Sequence, residues 1–91
     1  MNRMKLICSG LVQGVGFRYF VFMTGRALDV TGFVINLDNG DVLIEVQGTS
    51  DQLQAFIARV RAGNQYSKID RLSQYPIPVV DREAGFEILY D

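Results

Sequence analysis

The spacing of apolar residues changes from a strand-like to a helical period early in the chain. Residues 4–12 alternate loosely and predict a strand, and residues 13–16 then form a short loop with two glycines. Residues 17–29 carry apolar side chains three and four positions apart, which predicts a helix. The residues of that helical face are Phe17, Phe20, Val21, Thr24, Ala27 and Leu28. Gly25 lies inside this segment and weakens the predicted helix by about 1 kcal/mol relative to alanine.

The rest of the chain contains four more strand patterns and one more helix, each with start or stop signals. The predicted strands cover residues 30–37, 41–47, 67–77 and 84–90. Asp38, Asn39 and Gly40 join the first two of them, because Asn-Gly tolerates the positive φ angles of a tight hairpin turn. Thr49 and Gln52 match a capping box at the start of a second amphipathic helix. Gly63 is placed to end that helix.

The order of these elements, β-α-β-β-α-β with an extra strand, indicates an α+β sandwich of the ferredoxin-like, split β-α-β type. We therefore expect one domain over residues 1–91, with an antiparallel sheet and two helices on one of its faces. In this topology the first and second strands run parallel, with the third strand between them. Their carboxyl ends meet at one edge of the sheet, which also receives the 13–16 loop, the start of the first helix and Asn36.

Composition and charge exclude several classes of protein. The chain carries 9 Lys and Arg against 10 Asp and Glu, a balance that argues against a duplex-DNA binder and against a polybasic membrane module. The single cysteine, Cys8, excludes an internal disulfide and a four-cysteine zinc site. The absence of histidine excludes a histidine base, relay or metal ligand. No apolar run approaches the ~18 residues of a transmembrane helix, and Met1–Lys5 show no signal-peptide pattern, so we expect a cytoplasmic protein.

The loop at residues 13–16 and Arg18 form a candidate anion site. Gly14 and Gly16 let the backbone approach a ligand closely, and the N–H groups of residues 14–18 have no partner inside the helix. The helix dipole favours an anion there, and the Arg18 guanidinium matches two phosphate oxygens. The segment lacks the Gly-Lys-Ser/Thr of a P-loop, and Tyr19 stands where the dinucleotide fingerprint needs glycine or alanine.

Two motifs in this part of the chain resemble the signatures of the acylphosphatases. The first is Ser9–Arg18, with the sequence SGLVQGVGFR. The second is Gly32–Asn36, with the sequence GFVIN, followed by Gly40, Val42 and Gly48 at the matching spacing. The joint occurrence of both motifs, in a chain of the family's length and order of elements, makes the resemblance specific.

The resemblance implies metal-independent hydrolysis of the carboxyl–phosphate bond of acyl phosphates, with no cofactor. It implies that Arg18 binds the phosphoryl group and that Asn36 holds the attacking water, whose proton goes to a phosphate oxygen of the substrate. It further implies that backbone N–H groups of the loop bind the phosphate. The loop residues concerned are Gln13, Gly14, Val15, Gly16 and Phe17. Leu11 and Ile35 depart from the family pattern, because each replaces a residue that is commonly charged or polar.

The expected ligands are small acyl phosphates, with inorganic phosphate or sulfate binding the same loop. We expect a monomer that binds neither nucleic acid nor membrane. A non-catalytic ferredoxin-like module that binds RNA or a small effector is an alternative, but the strand at 41–47 offers Glu45 and no aromatic residue for RNA. A second alternative is the acylphosphatase-like domain of larger carbamoyl-transfer proteins. Because the sequence stops at Asp91, we favour the isolated enzyme.

Overall fold

The computed structural model describes residues 1–90, and its elements follow the predicted order. They are β1 (Asn2–Leu11), α1 (Phe17–Ala27), β2 (Thr31–Asn36), β3 (Val42–Gly48), α2 (Ser50–Ala62), β4 (Lys68–Ile77) and β5 (Phe86–Leu89). The predicted first helix is two residues too long, because Asp29 adopts a left-handed φ of 58° that ends the helical path. No helix within residues 1–90 combines the length and the apolar character needed to cross a bilayer.

The five strands form one sheet in the order β4-β1-β3-β2-β5. The third strand lies between the first two and antiparallel to both, as predicted, with Leu6 opposite Ile44 and Ile44 opposite Val34. The prediction of an antiparallel sheet holds for the first four strands and is wrong for β5, which pairs in parallel with β2. The reason is topological. β4 ends where β1 and β2 begin, so the chain that crosses this end enters β5 in the direction of β2.

The core lies between one face of the sheet and the two helices, which confirms the α+β, ferredoxin-like fold. Alternation along the strands places Leu6, Ile44 and Val34 on this face, and all three are fully buried. The helices contribute residues to the same cluster, which are Phe17 and Val21 from α1 and Leu53, Phe56 and Val60 from α2. Both helices therefore cover the same face and leave the other face of the sheet open.

The capping box of α2 forms as predicted and also joins the two helices. Thr49 Oγ1 accepts a hydrogen bond from the Gln52 backbone N–H at 3.2 Å, and Gln52 Oε1 accepts one from the Thr49 N–H at 2.8 Å. Gln52 Nε2 donates to the Leu28 carbonyl at 3.1 Å, at the carboxyl end of α1. Gly63 ends α2 with a φ of 73°, as the sequence predicts.

A buried arginine holds the connection between β4 and β5, residues 78–85, against the start of the sheet. Arg3 is 3% exposed and donates two hydrogen bonds to the Glu83 carboxylate, at 2.7 and 3.1 Å, and one to Glu45 at 3.0 Å. Hydrogen bonding to Glu83 raises the pKa of Arg3. Burial opposes ionisation of Glu83, but hydrogen bonds from Arg3 and Thr31 hold the pKa of that carboxyl below its usual range. Gln47 adds a two-way bond to the backbone of Val80, at 2.9 Å in each direction.

Gly25 has a packing role that explains a glycine inside a helix. A Cβ atom built at this position would lie 2.7 Å from the ring of Phe86, the first residue of β5. The ring also packs against Phe56 of α2, with centroids 5.7 Å apart. The missing side chain therefore lets β5 approach α1 closely.

We expect Gly25→Ala to lower the free energy of unfolding by roughly 1–3 kcal/mol, because the added methyl overlaps the Phe86 ring. This cost should exceed the gain of about 1 kcal/mol that alanine brings to an unhindered helix. Urea denaturation measures the effect. Gly85→Ala is the matched control, since a Cβ atom there meets nothing within 4 Å, and its free energy of unfolding should change by less than about 0.5 kcal/mol. Stabilisation by Gly25→Ala would contradict the close approach.

Candidate active site

The loop between β1 and α1 adopts backbone conformations that favour glycine. Gly14 and Gly16 have φ angles of 74° and 75°, in the left-handed region that side chains with a Cβ rarely enter. Gly16 is the N-cap of α1 and provides no side-chain cap for the helix. The loop therefore turns into the helix with its first backbone N–H groups uncapped.

The backbone N–H groups of residues 14–18 are free to bind an anion. Among residues 1–90, none of these groups donates a hydrogen bond to another protein atom. The first turn of α1 also contains no acidic residue that could offset the positive end of the helix dipole. Uncapped donors at a helix N-terminus, together with this dipole, are typical of a phosphate site.

Two side chains hold the loop to the rest of the molecule. Gln13 Nε2 donates to the backbone carbonyls of Leu37 and Asp41, each at 2.8 Å, on both sides of the β2–β3 hairpin. Asn64 Nδ2 donates to the Val15 carbonyl at 2.9 Å. The Gln13 side chain is thus occupied in fixing the loop, and only its backbone N–H is left for the role predicted from the sequence. Asn64 was not predicted, because it lies in a polar loop where hydrophobic periodicity carries no signal.

The first two residues of α1 face different surroundings. The Phe17 ring is 1% exposed and packs in the core, so this residue offers the site its backbone N–H. The Arg18 side chain reaches the end of β5 instead, where Nη1 donates to the Leu89 carbonyl at 3.3 Å. The guanidinium also lies over the ring of Tyr90, with Cζ 4.7 Å from the ring centroid. No carboxylate of residues 1–90 forms an ion pair with Arg18.

Asn36 is the last residue of β2, opposite Val42, and lies on the same face of the strand as the buried Val34. Its Oδ1 atom is buried and accepts no hydrogen bond from residues 1–90. Leaving such an acceptor unpaired costs roughly 1–3 kcal/mol, and buried polar atoms of this kind are uncommon in native proteins. The unpaired oxygen therefore indicates a function for Asn36 beyond packing.

The structure brings the predicted residues to one corner of the sheet. Gln13 fixes the loop to Leu37, the residue after Asn36, and Arg18 contacts Leu89, which pairs with Ile35 just before Asn36. A cavity of about 200 Å³ opens here. Its lining includes Gly14, Gly16, Arg18, Ile88 and Tyr90. Asn36 does not line this cavity, and strand pairing places it next to Ile35, the partner of Leu89, whose carbonyl Arg18 contacts.

The two departures from the family pattern lie at the margin of this corner. Leu11 is 56% exposed at the end of β1. Ile35 precedes Asn36 in β2, so alternation places it on the open face of the sheet, opposite to the Asn36 side chain. Neither position occupies the space between the loop and Arg18.

The described residues offer neither a metal-ligand cluster nor a reactive thiol at this corner. Within residues 1–90, no group of three or more His, Cys, Asp or Glu side chains is placed to hold a metal ion. Cys8 is fully buried in the core, and burial raises the pKa of its thiol to about 12. The chemistry that the arrangement supports is therefore binding of a tetrahedral anion by backbone N–H groups and one guanidinium.

Comparison with known proteins finds one family that matches nearly the whole chain. A family model for acylphosphatase matches residues 4–88. An acylphosphatase from Clostridium beijerinckii is 42% identical over 90 residues, which are 99% of this chain and 100% of that protein. The crystal structure of acylphosphatase from Bacillus subtilis is 37% identical, with a TM-score of 0.94 over 99% of this chain and 100% of that chain. A crystal structure of full-length HypF in the phosphate- and nucleotide-bound form is 28% identical, with a TM-score of 0.85 over 99% of this chain and 12% of that longer chain.

The family model and the relatives agree with the fold and with both sequence motifs. The chain therefore belongs to the acylphosphatase family.

Proposed function

We propose that this enzyme hydrolyses the carboxyl–phosphate bond of small acyl phosphates, giving a carboxylate and inorganic phosphate, without a metal ion. The loop at residues 13–18 holds the phosphoryl group, and Asn36 orients the attacking water. The observation that carries the proposal lies at one corner of the sheet, where backbone N–H groups, the Arg18 guanidinium and Asn36 Oδ1 have no acceptor, ion pair or donor, respectively, among residues 1–90.

The phosphoryl group carries negative charge that the loop can stabilise in the ground state and in the transition state. Backbone N–H groups of residues 14–18 have no acceptor among residues 1–90, and the Arg18 guanidinium adds a planar pair of donors. Phosphoryl transfer depends mainly on positioning and on stabilisation of charge over the phosphoryl oxygens. These donors supply what a magnesium ion supplies in a kinase. The similarity to a HypF structure in the phosphate- and nucleotide-bound form supports phosphate as a ligand.

The chemistry of the substrate explains why the site needs no general acid. An acyl phosphate is a mixed anhydride, and its leaving group is a carboxylate of low pKa that needs no proton. The water oxygen forms the new bond to phosphorus, the bond between phosphorus and the acyl oxygen breaks, and its electron pair leaves with the carboxylate. The proton of the water passes to a phosphoryl oxygen of the substrate. A protein without histidine is compatible with this reaction.

Asn36 serves to orient the water. An amide cannot deprotonate water, but the buried Oδ1 can accept a hydrogen bond from one O–H group and so turn a lone pair of the water toward phosphorus. Such an assignment explains why this polar atom is buried without a partner among residues 1–90. We further propose that the enzyme acts as a monomer, because the loop, Arg18 and Asn36 all belong to one chain.

Hydrolysis of benzoyl phosphate should proceed in the presence of EDTA at the rate seen without it, because the N–H groups and Arg18 neutralise the phosphoryl oxygens. The measurement is the initial rate with EDTA and with added Mg²⁺. A rate that EDTA abolishes and Mg²⁺ restores would disprove the metal-free mechanism.

Arg18→Lys should lower kcat at least ~10²-fold, because a point charge cannot replace the two fixed donors of the guanidinium. Arg26→Lys is the matched control, since Arg26 lies in the same helix, is exposed and stacks on Phe22 at 5.7 Å. Steady-state kinetics with benzoyl phosphate should find that control near the parent rate. A parent-like kcat in Arg18→Lys would remove Arg18 from the site.

Asn36→Ala should lower kcat by about 10²-fold while the inhibition constant of inorganic phosphate changes little, because the side chain acts on water and not on phosphate. The free energy of unfolding should not fall, since the substitution removes an unpaired buried acceptor. Kinetics and urea denaturation test both points, with Asn2→Ala at the opposite end of the sheet as control. Equal losses in kcat and in phosphate affinity would mean that Asn36 binds the phosphoryl group instead.

A further inference from the structure

The end of β5 holds the Arg18 guanidinium on two sides. Nη1 donates to the Leu89 carbonyl at 3.3 Å, and the face of the guanidinium lies 4.7 Å from the centroid of the Tyr90 ring. Leu89 lies 71 positions further along the chain than Arg18. The arginine is therefore contacted by residues that lie far from it in the sequence.

These contacts restrain the guanidinium and leave its charge in place. A carboxylate partner would offset the positive charge, whereas a carbonyl and an aromatic ring carry no net charge. The Leu89 carbonyl occupies one N–H of Nη1, which leaves the edge formed by Nε and Nη2 for two phosphoryl oxygens. The arrangement thus suits a side chain that must be oriented and must still attract an anion.

Tyr90 is placed to act on Arg18 and contributes little to the core. Its side chain is 73% exposed, and it lines the same cavity as Gly14, Gly16 and Arg18. An exposed ring at this place buries little apolar surface, so burial in the core does not account for its position over the guanidinium.

We propose that Tyr90 is a positioning residue, whose ring holds the Arg18 guanidinium in the orientation that receives the phosphoryl group. The proposal rests on the phosphoryl-binding role given to Arg18 under the proposed function. A stacked cation in an exposed setting contributes a modest interaction, so loss of the ring should weaken phosphate binding about two- to fivefold.

The inhibition constant of inorganic phosphate against benzoyl phosphate hydrolysis tests the proposal. This constant does not depend on the fraction of folded enzyme, so a variant that folds less well does not mimic the effect. Tyr90→Leu should raise the constant about two- to fivefold, and Tyr90→Phe, which keeps the ring, should leave it within about twofold of the parent value. An unchanged constant in Tyr90→Leu, or an equal rise in Tyr90→Phe, overturns the role of the ring.

Tyr75→Leu is the matched control. Tyr75 also lies beside a cation, with Lys5 Nζ 5.3 Å from its ring centroid, but it lies on edge strand β4 and does not line the cavity. Its removal should leave the phosphate constant unchanged, and a rise equal to that of Tyr90→Leu would overturn the proposal.

Arg18→Lys distinguishes a failure of the positioning role of Tyr90 from a failure of the phosphoryl-binding role of Arg18. If that variant raises the phosphate constant and Tyr90→Leu does not, the positioning role fails and the proposed function stands. If Arg18→Lys leaves the constant unchanged, the phosphoryl-binding role of Arg18 fails, and the role of Tyr90 fails with it.

Discussion

The site depends on the positive charge at the start of α1, which no acidic residue in the first helical turn and no side-chain cap offsets. An arginine in the first helical turn lies close to the positive end of the helix dipole, which is unfavourable in the absence of an anion. The neighbouring N–H groups are uncapped, and Gly16 provides no side chain to cap them. In the proposed function, a phosphoryl group would pair with these donors and balance the charge. The feature that would destabilise an isolated helix is then the one proposed to bind the substrate.

Contacts at the opposite end of the sheet set the position of β5, the strand whose end contacts Arg18. Arg3 and Glu83 hold the connection between β4 and β5, so that β5 enters beside β2 and runs parallel to it. Phe86 then packs against the bare backbone of Gly25, and Leu89 arrives opposite Ile35. A buried charge pair at one end of the sheet thus helps to place the groups that orient Arg18 at the other end.

The site also contains features that lower the stability of the folded state. The core beneath it is apolar, yet Asn36 buries an acceptor that has no partner among residues 1–90, and two glycines adopt left-handed backbone conformations. Catalysis by positioning and charge requires such features, because donors already paired within the protein could not bind a substrate. The apolar core and the capping box of α2 stabilise the fold, whereas the groups that have no partner among residues 1–90 form the proposed site.

The sequence alone determined the order of elements, the capping box of α2 and the glycine-containing loop between β1 and α1, because each depends on local periodicity or on short spacings. It also placed Arg18 and Asn36 at one edge of the sheet, since the carboxyl ends of β1 and β2 must meet there. Only the tertiary structure decided the parallel direction of β5, the packing role of Gly25, and the contacts of Arg18 with Leu89 and Tyr90. These features join residues far apart in the chain, and no local pattern carries the information about which distant strand will lie against a given side chain.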